Sequence, residues 1–149
     1  MNKIIIVSVV VLSAMSGCFG VETKKPSVEI VSHGDLSIEG EEFSYNATIE
    51  TSTARTSENF TFEKVNLSLY NGNEKQIKSA RVGSVSSLNN GSTNVKIESE
   101  TIPKYIIVES PEFWTLSDVE VKVVGLKWVD SDDRYREYFV TSESGKFDS

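Results

Sequence analysis

Few side chains in this sequence can do covalent or acid–base chemistry at neutral pH. The 149 residues include one cysteine, Cys18, and one histidine, His33. A lone thiol makes no intramolecular disulfide, and one thiol with one imidazole falls short of the donor set of a tetrahedral zinc site. His33 lies in "SHGD" beside Asp35, so a Ser-His-Asp triad would have to be built on it. The Gly-X-Ser-X-Gly turn that exposes a nucleophilic serine is missing; "GSVSS", from Gly83 to Ser87, does not fit it. Nor is there a glycine loop of the phosphate-cradling type. Carboxylates remain, in two clusters: "EGEE" (Glu39 to Glu42) and "DSDD" (Asp130 to Asp133). Alternating loop oxygens hold calcium in extracellular modules, which makes Asp130, Asp132 and Asp133 the calcium candidates. That loop lacks the glycine and the downstream bidentate glutamate of an EF-hand. A carboxylate pair for glycoside hydrolysis needs a cleft that sets its separation, and no motif marks one. The expectation is a protein without catalytic groups and without a cofactor. A carboxylate-dependent hydrolase is the alternative.

Two further features point to surface recognition. In "EFWTL", Phe113 and Trp114 follow Ser110-Pro111 and leave the strand pattern. An exposed pair of this kind stacks on sugars or anchors a partner; a buried one plugs the end of a fold. Four Asn-X-Ser/Thr sequons begin at Asn46, Asn59, Asn66 and Asn90. The alternation around Asn46 and Asn66 points both away from the core, and Asn90 falls in a turn, so glycans there would be tolerated. Unmodified surface asparagines are the other reading.

The amino terminus has the layout of an export signal. Met1-Asn2-Lys3 is a short positive start, and "IIIVSVVVL" (Ile4 to Leu12) is an apolar run followed by small residues. That run is well short of the ~20 residues a spanning helix needs. "MSGC", Met15 to Cys18, resembles a lipoprotein signal, with Ser16 and Gly17 at the small positions. Met15 stands where such signals usually carry leucine. The resemblance implies a diacylglyceryl thioether on Cys18, which becomes the mature amino terminus. The protein would then be held at the extracytoplasmic face of the cell membrane. A plain secretory signal cut near Ala14-Met15-Ser16, or an uncleaved anchor, are the other readings. The expected organisation is a signal over 1–17, a polar tether over 18–26, one domain over 27–141 and a flexible tail over 142–149.

Bulk composition agrees with a single small domain. The formal net charge is −7, which repels a phosphate backbone and argues against nucleic acid or anionic lipid as an electrostatic partner. From Ser27 onward the apolar pattern has period two. "EFSYNATIE" puts Phe43, Tyr45, Ala47 and Ile49 on one face; "TFEKVNLSLY" does the same with Val65, Leu67 and Leu69. "PKYIIVES" is apolar on both faces and reads as a central strand. "DVEVKVVGLKWV" changes parity at Gly125, where a β-bulge would return the apolar residues to the core. Turn signals separate the runs: "SHGD", "IEGEE", "YNGNEK", "LNNGST", "ESPEF" and "VDSDDR". The expected fold is all-β, a single antiparallel sandwich of about seven or eight strands.

This pattern resembles the immunoglobulin-like and fibronectin III-like sandwiches of exported prokaryotic proteins. "IPKYIIVESPEFW", Ile102 to Trp114, is similar to segments of small archaeal membrane lipoproteins. The resemblance implies a lipid-anchored cell-surface module that binds a surface protein or envelope polymer. The alternative it leaves is an accessory receptor subunit for a solute or calcium.

Overall fold

A computed structural model describes residues 2–7, 25–88 and 91–148 of the chain. The strands in order are β1 (Asn2–Val7), β2 (Ser27–Glu39), β3 (Glu42–Ala54), β4 (Thr61–Tyr70), β5 (Gln76–Ser86), β6 (Ser92–Ser99), β7 (Tyr105–Glu109), β8 (Glu120–Val129) and β9 (Arg134–Val140). One 3-10 turn, Pro111–Trp114, links β7 to β8. The protein is all-β, as the alternation requires: Phe43, Tyr45, Ala47 and Ile49 are all buried and their neighbours on β3 are not.

Connectivity departs from a single antiparallel sandwich. Among the described residues the strands form one 9-stranded sheet whose main path runs β5-β4-β7-β8-β2-β3-β6. The ladders are antiparallel except one: Ser27–Ile30 of β2 pair in parallel with Glu120–Val123 of β8. The cause is the length of β2. Its 13 residues pair with β3 throughout, while its first residues also reach β8 and join what would otherwise be separate sheets. The two ends of the path then meet. Thr93 of β6 donates its hydroxyl to Ser84 O of β5 at 3.1 Å, so the mixed sheet curls almost into a barrel. Off the main path, β1 pairs with Gly34–Glu39 of β2, and β9 pairs with β8.

The core fills the inside of this curl. Val28, Ile30, Leu36 and Ile38 of β2 meet Phe43, Tyr45 and Ile49 of β3, Leu67 and Leu69 of β4, and Ile106 and Val108 of β7. The four apolar residues Tyr105 to Val108 are all buried, because β7 lies between β4 and β8 with both faces covered. Tyr45 brings a hydroxyl into the core and donates it to Ser32 Oγ at 3.1 Å.

Three local expectations need correction. "SHGD" is not a turn: His33, Gly34 and Asp35 continue β2 in unbroken register with Thr48, Ala47 and Asn46. A strand keeps its backbone hydrogen bonds here because Gly34 adopts φ 152, a value few other residues reach. Gly125 makes no bulge in the β8–β9 ladder, which runs without a shift from Val123↔Val140 to Val129↔Arg134. Both faces of β8 are covered around Gly125, so the change of parity needs no extra residue. Residues 142–148, read from the sequence as a tail, lie across the outer face of the sheet. Tyr105 donates to Asp148 O at 3.0 Å, and Arg136 donates to Asp148 Oδ2 at 2.6 Å. Phe147 meets the rings of Tyr105 at 4.9 Å and Tyr70 at 5.1 Å, edge to face.

Candidate functional site: the Trp114 groove

The sequence places Phe113 and Trp114 side by side, and the structure gives them opposite roles. Ser110 caps the 3-10 turn: its hydroxyl accepts from Glu112 N at 3.2 Å and donates to Glu63 O at 3.0 Å. Pro111 suits the first position because its missing N–H would find no partner there. Glu112 ties the turn to β4 by accepting from Glu63 N. A turn so held must send successive side chains in different directions. Phe113 goes inward, fully buried and edge-on to Phe62 at 5.0 Å. Trp114 goes outward and is 42% exposed, with its ring against Phe113 at 6.1 Å.

Beside Trp114 runs a groove of roughly 350 Å³. Asn66 and Glu109 line it from the sheet, Val140 from the end of β9, and Lys146 from the returning carboxy-terminal segment. Its charged groups are paired. Lys146 Nζ donates to Tyr70 Oη at 2.9 Å and to Glu109 Oε1 at 3.1 Å, and Tyr70 donates to Glu109 Oε2 at 2.6 Å. The ammonium also stands 4.6 Å from the centre of the Tyr70 ring. Burial works against the charge of Lys146, but the hydrogen bonds to Tyr70 and Glu109 outweigh it and raise its pKa. Burial, then the bond to Glu109, raises that of Tyr70. Glu109 and Lys146 therefore line the groove as two corners of a closed triangle whose third corner is the Tyr70 phenol, and Trp114 lines it with an indole face. Such a surface stacks on the flat apolar side of a sugar ring or on an aromatic side chain, with polar contacts below.

The other sequence candidates are not brought to this groove, except Asn66. Asn46 is exposed on β3, and Asn59 is exposed in the segment before β4. Cys18 and Asn90 lie outside the described residues. Asp130, Asp132 and Asp133 form the exposed tip of the β8–β9 hairpin, where Asp132 sits 3.6 Å from Arg134. Among the described residues no three Asp, Glu, His or Cys side chains converge to hold a metal ion. His33 bonds to Glu50 at 2.6 Å across the β2–β3 ladder. A wider open cleft of roughly 690 Å³ lies between the β2–β3 turn, β5 and β6, lined by Glu39, Glu42, Glu98 and Glu100 with Lys78. Among the described residues no helix is long and apolar enough to cross a membrane.

Tyr70, Glu109 and Lys146 carry no local signal that sequence reading could use. They are 39 and 37 residues apart in successive pairs, and only strand register and the returning tail bring them together. Comparison with protein-family models, curated proteins and solved structures returns no match to this chain.

Proposed function

We propose that this chain is a non-catalytic binding module, displayed at the cell surface by lipid on Cys18, and that its Trp114 groove holds a surface protein or envelope polymer. The observation that carries this reading is the half-exposed indole of Trp114 beside a groove whose charges are already paired. Tryptophan is enriched at interfaces, where a partner buries its large ring and its N–H finds an acceptor. A triangle that satisfies its own charges is suited to recognition rather than to proton transfer.

The strand order supports an immunoglobulin-like topology within the mixed sheet. The run β5-β4-β7-β8 matches one sheet of such a sandwich, and β2-β3-β6 matches the other. "MSGC" and the apolar run before it support the anchor.

The test has two readouts. Intact mass of protein taken from the native membrane should show a chain that begins at Cys18 and carries added lipid. Pull-down on isolated cell envelopes should then fall about tenfold or more for Trp114→Ala, the loss expected of a central aromatic anchor. Equal binding by Trp114→Ala would reject the groove, and a lipid-free mass would reject the anchor.

A further inference from the structure

β2 has one continuous partner and one divided edge. On one side it pairs with β3 from Ser27 to Glu39. On the other, Ser27–Ile30 pair in parallel with β8, and Gly34–Glu39 pair antiparallel with β1. Gly34 stands where the second partner begins. At φ 152 it presses so close to β3 that a Cβ would lie 2.0 Å from Asn46 O.

β1 consists of Asn2–Val7, residues that belong to the leader if processing occurs at Cys18. Removing them would leave the Gly34–Glu39 edge with unpaired N–H and C=O groups, a surface that other strands complete. We infer that this edge of the mature protein is a strand-acceptor slot. It takes an extended, β-branched, non-acidic segment of a partner protein, antiparallel to β2, in the place and register that β1 holds. This inference rests on the Cys18 reading.

The structure shows what fits. Six residues pair in unbroken register, from Asn2↔Glu39 to Val7↔Gly34, and the occupying sequence is "NKIIIV". Main-chain hydrogen bonds supply affinity in this mode, and alternate side chains supply selectivity. Leu36 and Ile38 of the slot belong to the core, so an added strand extends a ladder whose inner face is already packed. Asp35 and Glu39 flank them, and the chain carries a net charge of −7; both disfavour a second copy or any acidic strand. The slot is also clear of the anchor. Gly34 lies seven residues beyond Ser27, about 23 Å along the strand and away from the tether.

The experiment uses protein purified from the native membrane, with its mass recorded first. Amide hydrogen exchange is then followed along β2, with and without a synthetic peptide of the sequence Asn2–Val7. In chains beginning at Cys18, the slot amides that face β1 rather than β3 should exchange about tenfold or more faster than those at Val28–Ile30, and the peptide should restore their protection. A backbone N-methylated peptide should not. If the slot amides that face β1 stay protected without peptide, or ignore it, the inference is overturned. Protection that disappears on dilution means pairing between copies and overturns it also. If the mass shows Met1 retained, the Cys18 reading fails, β1 fills the edge in the native chain, and the inference falls with that reading.

Discussion

The ring of Tyr138 occupies the space that a side chain at Gly125 would fill. The two residues are cross-strand partners on β9 and β8, and a Cβ at 125 would lie 2.7 Å from Tyr138 Cζ. Tyr138 in turn donates its hydroxyl to Lys146 O at 2.6 Å and meets Tyr105 edge-on at 6.1 Å. The missing side chain lets one aromatic ring join the sheet to the returning carboxy-terminal segment, and so to the Lys146 end of the Trp114 groove.

Gly125→Ala should therefore destabilise the fold by about 1–3 kcal/mol, the usual cost of forcing atoms into a filled space. Limited proteolysis should show earlier cutting within 142–148. Tyr138→Phe keeps the ring and loses only the bond to Lys146 O, a cost of about 0.5–1.5 kcal/mol in urea denaturation.

Phe113 and Trp114 should separate stability from binding. Phe113→Ala opens a cavity against Phe62 and should cost about 3–5 kcal/mol. Trp114→Ala removes a half-exposed ring and should cost about 1 kcal/mol or less while lowering envelope binding about tenfold or more. Denaturation curves of the two variants, run beside the pull-down, would check this.

Tyr135 should be worth more than its ring. It stacks edge-on with Trp128 at 4.9 Å and donates to Pro103 O at 2.7 Å in a buried setting. Tyr135→Phe leaves that carbonyl short of a donor and should cost about 1–3 kcal/mol. Tyr45 adds a pH signature. Burial, eased by its bond to Ser32, pushes its pKa up to about 12. The unfolded chain releases that proton first, near pH ~10, so stability should fall as pH rises beyond that point. Tyr45→Phe should make the alkaline limb of the thermal melts shallower, while burial of Tyr135 and Tyr138, which also raises their pKa values, keeps the rest of it.

Glu29 and Glu137 should oppose folding at neutral pH. Burial raises the pKa of Glu29, with Lys122 working the other way; burial and then the charge of Glu29 raise that of Glu137. Both hold protons to higher pH folded than unfolded. The folded state therefore binds more protons across that window, and stability falls as pH rises from about 4 upward. Glu137→Gln should raise Tm at pH 7 and make no difference near pH 3.

Much of the fold was legible. The alternation of Phe43, Tyr45, Ala47 and Ile49 identified the inward face of β3, and the apolar run Tyr105–Val108 identified a strand covered on both sides. The turn after Tyr70 was legible because Asn71 accepts from the backbone of Asn73 and Lys75, a local act of a local residue. "SHGD" misled for a related reason: glycine and aspartate favour turns, but thirteen residues of pairing with β3 kept β2 straight through them.

What the sequence determined by itself is the all-β character and the inward face of its strongest strands, because side-chain period and turn chemistry act over a few residues. What only the tertiary structure decided is which distant residues meet. The parallel β2–β8 ladder, the Tyr138 ring over Gly125 and the Tyr70–Glu109–Lys146 triangle all join residues far apart in the chain. So does the division of Phe113 from Trp114, which depends on how β4 holds the 3-10 turn. Contacts of that kind are set by strand register and by the closing of the sheet on itself, and no short stretch of sequence carries either.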